Sequence, residues 1–123
     1  MTAKGPMVYV KDANPAVRKT VGDLLTAIGV RPHFPDSAFD SSQPTTFLGG
    51  FKCAILELDR GPGQDDAVDE VDLLRLYQPT LPVAFLYAKA SDSMLDRARA
   101  LGPVFQKPAQ LAAAVAWAER HIA

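Results

Sequence analysis

Apolar residues in this chain come in short unbroken runs, separated by segments in which they recur at helical spacing. Met7-Val8-Tyr9-Val10 is the first run, and its lack of alternation suits a strand covered on both faces. Lys11 to Asn14 end it, and Pro15 is placed to open a helix behind an Asn14 or Asp12 cap. Val17, Val21, Leu24, Leu25 and Ile28 mark one helical face, and Gly29 stops that helix. Val30 to Phe34 predict a short second strand, which Pro32 and Pro35 confine to a sheet edge. Asp36 to Gly50 hold the turn formers Ser41, Ser42, Pro44, Thr45 and Thr46, and predict one weak or irregular helix. Phe51 to Leu58 is the next strand, and Cys53-Ala54-Ile55-Leu56 is the most strongly apolar run of the chain.

Arg60-Gly61-Pro62-Gly63 forces a loop after that strand. Val68, Val71, Leu74 and Tyr77 then give the following helix an apolar stripe, with Asp65, Asp66, Asp69, Glu70 and Asp72 as an acidic surface near its start. Val83 to Tyr87 reads as a buried strand, Asp92 to Leu101 as a helix with Leu95, Ala98 and Leu101 inward, and Val104-Phe105-Gln106 as a short strand. An alanine-rich helix from Pro108 to Ile122 closes the pattern, packed through Leu111, Val115 and Ile122. Strand is followed by helix five times, which predicts an α/β fold: a doubly wound, five-stranded parallel sheet with helices on both faces.

With 123 residues the chain fits a single domain, residues 1–123, able to bury roughly 65% of its unfolded surface without metal or disulfide support. The lone cysteine, Cys53, cannot form an internal bridge and reads as a small buried hydrophobe. Thirteen basic against fourteen acidic residues give no electrostatic case for nucleic acid or an anionic membrane. No apolar run approaches the ~20 residues of a membrane span, and the start lacks a signal-peptide apolar stretch. A soluble cytoplasmic domain is the expectation. His33 and His121 share no ligand spacing with Cys53, so zinc is unsupported, and Arg60 to Gly63 lacks the Lys-Ser/Thr of a phosphate-binding loop.

Doubly wound folds place ligands outside the carboxyl ends of their strands. Here those ends carry Lys11-Asp12, Glu57-Leu58-Asp59, Tyr87-Ala88 and Gln106-Lys107-Pro108. On these residues, and in the order and spacing of the elements, the chain resembles the receiver domain of bacterial two-component response regulators over nearly its whole length. The resemblance implies a flavodoxin-like topology. It places a pair of acids at Lys11-Asp12, a phosphoacceptor aspartate at Glu57, a Thr or Ser at Tyr87, and the Lys-Pro pair at Lys107-Pro108. One acid has become Lys11, the acceptor has become Glu57 and the hydroxyl residue has become Tyr87, so only Asp12 and Lys107 stand as the family has them.

Those departures have a physical reading. A magnesium site for phosphoryl transfer needs several hard oxygen ligands; Lys11 removes one and adds a positive charge, and the extra methylene of Glu57 displaces its oxygens. Tyr87 fills the space of a small hydroxyl, although its own hydroxyl is a candidate partner for Glu57. Lys11 and Lys107 are both placed to neutralise Glu57 without metal. Asp12, Glu57 and Asp59 remain the only candidate metal ligands, and the expectation is no metal, no cofactor and no catalysis. A degenerate, non-phosphorylatable receiver acting through protein–protein interaction is the first reading, with a signalling protein or a fused output domain as partner, or a second copy. An active, unorthodox receiver using magnesium, with Glu57 or Asp59 accepting the phosphoryl group, is the second. The third is a flavodoxin-like cofactor module, weakened by Asp12-Ala13-Asn14-Pro15 where a phosphate cradle belongs. By the same resemblance, the partner face comprises Ser91 to Leu101, Val104 to Gln106 and Pro108 to Ile122, with Val104, Phe105 and Trp117 as interface residues and Trp117, off the apolar stripe of its helix, as the anchor.

Overall fold

The computed structural model describes residues 5–35, 50–59 and 66–122. Five strands, β1 (Met7–Lys11), β2 (Arg31–His33), β3 (Phe51–Glu57), β4 (Val83–Tyr87) and β5 (Val104–Gln106), form one parallel sheet in the order β2-β1-β3-β4-β5. Four helices pack on it: α1 (Pro15–Ala27), α2 (Ala67–Tyr77), α3 (Asp92–Arg99) and α4 (Leu111–Glu119). The expected helix within Asp36 to Gly50 falls almost wholly on residues outside those described.

Alternation along the central strands divides the core into two halves, as the unbroken apolar runs require. Val8, Val10, Cys53, Ile55, Ala84 and Leu86 face α1 and α4. Tyr9, Ala54, Leu56, Val83 and Phe85 face α2 and α3. Pro32 is tolerated because β2 is an edge strand, hydrogen-bonded only to β1.

The helix ends follow local chemistry. Asn14, not Asp12, caps α1 by accepting the Ala16 N–H at 2.9 Å, and Pro15 is its first residue. Gly29 ends the helix at φ +81°, while the Val30 N–H reaches back to the Leu25 carbonyl at 2.9 Å. Asp66 caps α2 through the Val68 N–H at 2.7 Å. α4 begins at Leu111, later than Pro108, because the Gln110 side chain accepts the Gln106 N–H and offers the helix no cap.

Two expectations on burial are corrected. Glu70 is not part of an acidic surface; it is 1% exposed, on the inward stripe with Ala67, Val71 and Leu74. The Tyr9 hydroxyl donates to its Oε2 at 2.5 Å, giving the buried carboxylate a partner inside the core. Trp117 is not a surface anchor. It is 6% exposed and belongs to the α1–α4 half of the core, with the His121 ring tilted against it at a centroid distance of 4.7 Å. α4 packs against both the sheet and α1, so its buried arc is wider than one stripe and takes in Leu111, Ala114, Val115, Trp117 and Ala118.

Gly102 marks the tightest backbone approach of the β4–β5 edge. A Cβ there would lie 1.9 Å from the Val83 carbonyl oxygen, and backbone on both sides cannot yield. Gly102→Ala is expected to destabilise the domain by about 1–3 kcal/mol, read as a lowered urea midpoint.

Candidate functional site

Parallel pairing brings the carboxyl ends of β1, β3, β4 and β5 to one edge of the sheet. Register sets Lys11 beside Leu56, Glu57 beside Leu86, and Tyr87 beside Gln106. The Lys107 N–H donates to the Tyr87 carbonyl at 2.7 Å, which fixes the start of the turn after β5. From there the lysine side chain runs inward, and the peptide bond to Pro108 is cis.

The Lys107 ammonium lies among three carboxylates. Its Nζ is 3.0 Å from Asp12 Oδ2, 3.3 Å from Glu57 Oε2 and 3.8 Å from Asp59 Oδ2. Asp12 and Glu57 are buried, and the Lys107 side chain is 10% exposed. Backbone donors complete the set. Asn14 N–H meets Asp12 Oδ1 at 2.8 Å, and Ala13 N–H meets Glu57 Oε1 at 2.8 Å. Lys89 N–H meets Asp59 Oδ1 at 3.0 Å, and Ala88 N–H donates to Asp59 Oδ2. Arg18 Nη1 secures the Asp12 carbonyl at 2.8 Å, tying the turn after β1 to α1. Each oxygen of the three carboxylates therefore has a protein donor or the lysine charge within reach.

Electrostatics follow from that crowding. Burial pushes the Glu57 carboxyl above its ordinary value; the Ala13 N–H opposes the shift, the nearby Asp12 charge adds to it, and Lys107 partly offsets it. For Lys107 burial acts to lower the value, but the hydrogen bond and charge of Asp12, with those of Glu57, prevail and raise it. The lysine therefore stays an ammonium ion.

The structure brings together Asp12, Glu57, Asp59 and Lys107. Alternation carries Lys11 with Met7 onto the Tyr9 face of the sheet, whereas Glu57 shares the face of Cys53 and Ile55, so the cation seated among the carboxylates is Lys107. Tyr87 leans into the α2–α3 half of the core with Val83 and Phe85, and its hydroxyl, a candidate partner for Glu57, is not one of the donors that meet Glu57 Oε1 and Oε2 from Ala13 and Lys107. Asp59 was expected as a metal candidate or a loop acid, and it fastens the loop after β4. Backbone donors carry no residue-type signal, so sequence inspection misses this role. Cys53 is fully buried, and burial pushes its thiol up to about 12. Val104 and Phe105 are half-buried on edge strand β5, packed against opposite halves of the core.

The Lys107 ammonium stands where the Asp12 and Glu57 oxygens converge. Among the described residues, no three His, Cys, Asp or Glu side chains are arranged to hold a metal. An open cavity of about 300 Å³ lies beside the cluster, lined by Asn14, Val17, Thr20, Lys107, Pro108 and Leu111.

This sheet order, with helices on both faces and the polar cluster at the carboxyl edge, is the receiver-domain fold. No family model and no curated protein matches the sequence. Solved structures match the fold. The chain is similar to a response regulator receiver domain protein of Clostridium thermocellum, at 14% identity and TM-score 0.75 over 95% of this chain and 94% of that one. The non-phosphorylated HemR receiver domain of Leptospira biflexa matches at 20% identity and TM-score 0.72, over 96% and 94%. A putative pilus assembly-related protein of Burkholderia pseudomallei matches at 20% identity and TM-score 0.67, over 100% and 96%. Identities this low establish the fold alone.

Two expectations test the cluster. Lys107→Met leaves Asp12 and Glu57 buried without their cation, and should cost about 3–5 kcal/mol in urea unfolding at neutral pH. The second follows from the raised Glu57 value. The folded state holds the Glu57 proton more tightly than the unfolded chain, so the group stabilises the fold below its ordinary value of 4.5. That contribution is lost as pH rises through the raised value. Urea midpoints measured across this window should fall for the native chain relative to Glu57→Gln as pH increases.

Proposed function

We propose that this domain is a signalling module of receiver fold that works through protein–protein contact and does not accept a phosphoryl group. One observation carries the reading: each oxygen of the carboxylates at the acceptor position and around it already meets the Lys107 ammonium or a turn amide of Ala13, Asn14, Ala88 or Lys89. Phosphoryl transfer needs an acceptor oxygen free to attack and a divalent cation to neutralise developing charge. Here the carboxylate at position 57 is braced on both oxygens, and its reach differs from aspartate by one methylene. Displacing a reacting oxygen by ~1 Å can cost about a hundredfold in rate.

The partner is a signalling protein, an output domain fused to this one, or a second copy. Half-exposed Val104 and Phe105 on edge strand β5 are the contact residues this reading retains. Trp117, being core, is withdrawn from that surface. No helix among the described residues is long and apolar enough to cross a membrane, and the near-neutral charge offers nucleic acid no basic footprint.

Incubation with magnesium and acetyl phosphate, read by intact mass, tests the reading. The expected result is unchanged mass. Stoichiometric gain of one phosphoryl group, lost on Glu57→Ala or Asp59→Ala, would overturn it in favour of an active receiver. Visible absorbance in the purified protein would instead point to a cofactor module.

A further inference from the structure

The cavity beside the strand-end cluster lies where α1 and α4 both begin. Further along these helices the space between them is filled by Val21, Leu25, Val115 and Trp117. At the carboxyl edge of the sheet the filling stops. Val17 and Leu111 are the last buried apolar side chains there, and beyond them stand the small, exposed Ala16 and Ala88 and the ring of Pro108. These residues leave about 300 Å³ open. That is room for about ten waters, or for a single six-membered ring with a short substituent, at the lower bound of ligand pockets.

The charges around the cavity select what can enter it. Lys107 is the charged residue of its wall, so a cation would face an ammonium group at close range. An anion would be drawn to that ammonium, but three carboxylates stand around it: Asp12 at 3.0 Å, Glu57 at 3.3 Å and Asp59 at 3.8 Å from Nζ. Neither kind of ion recovers, against walls of Val17, Pro108 and Leu111, the hydration it gives up. A neutral molecule does not carry that cost. Its polar head finds partners among the remaining lining residues. Asn14 Oδ1 is taken by the Ala16 N–H at 2.9 Å, which leaves the Nδ2 amide as a donor. Thr20, exposed on α1, adds a hydroxyl that can donate or accept.

We infer that this cavity is a binding site for a small, uncharged molecule with a ring-sized apolar body and one amide- or alcohol-type head. The body lies against Val17, Pro108 and Leu111, and the head meets Asn14 and Thr20. Such a site needs neither a metal nor an acceptor carboxylate, so it stands apart from the signalling role proposed above.

Titration of the full chain with benzamide, read by backbone amide chemical shifts, tests the inference. Saturable shifts are expected at Val17, Thr20, Lys107 and Leu111, with a dissociation constant of about 1–10 mM. Benzoate and benzylammonium have nearly the same shape and should bind more weakly by about fivefold or more. Ala16→Phe and Thr20→Phe each add a ring at an exposed position lining the cavity and should abolish the benzamide shifts. Thr26→Phe, exposed on the same helix outside the cavity, should keep them. The site is overturned if benzamide does not saturate, if either charged analogue binds as tightly, or if the shifts survive in a folded filling variant. Either filling variant decides the last point alone where the other does not fold.

Discussion

The Lys107 ammonium is the point on which the carboxyl edge of the sheet depends. Three acids, two of them buried, converge there from the turn after β1 and the end of β3, and the Lys107 ammonium stands among them. One positive charge does not balance three negative ones in a partly desolvated place. The difference is met by backbone N–H groups and by a Glu57 carboxyl that holds its proton more tightly than usual. The amides come from the turns themselves: Ala13 and Asn14 after β1, Ala88 and Lys89 after β4. Each turn is therefore shaped by a carboxylate whose position is set by a different strand. The cluster joins β1, β3, β4 and β5 beyond the last rungs of the ladder.

Much of this was legible in the chain because burial on both faces leaves a plain mark. A strand covered on both sides has no polar alternate residues, and Val8 to Val10, Cys53 to Leu56 and Val83 to Leu86 show none. Asn14, Pro15 and Gly29 announce the ends of α1 because few residue types satisfy those backbone positions. Parallel order then gathers the strand ends at one edge, so topology alone associates Asp12, Glu57 and Lys107. What was not legible depends on partners remote in sequence. Glu70 looked like a surface acid until Tyr9, sixty-one positions earlier, supplied its hydroxyl. Trp117 stood off the stripe of its own helix, and only the packing of α1 against α4 turned that flank inward. The reach of Tyr87 was misjudged because sheet face, rather than nearness along the edge, decides what a strand-end side chain meets.

The same accounting explains what holds the polar edge of the sheet together. Removing a buried polar network outright leaves backbone N–H groups unpaired, at about 1–3 kcal/mol each. Retaining the network is less costly than dismantling it, even where no ion or substrate uses it. Lys107 and Asp12 are therefore accounted for by what they do for the turns.

Glu57 is the residue whose length decides between the two uses of the site. Its Oε1 reaches the Ala13 amide in the turn after β1, and its Oε2 reaches Lys107 beyond β5. These partners belong to elements on opposite sides of β3 in the sheet, since the order runs β1-β3-β4-β5. An aspartate carboxylate begins one bond of about 1.5 Å closer to the backbone and cannot make both contacts from the same backbone position. The extra methylene suits the carboxylate to bracing the edge between two neighbours, where a shorter one would leave an oxygen open. At that span both oxygens of Glu57 meet partners on neighbouring elements, which braces the edge of the sheet.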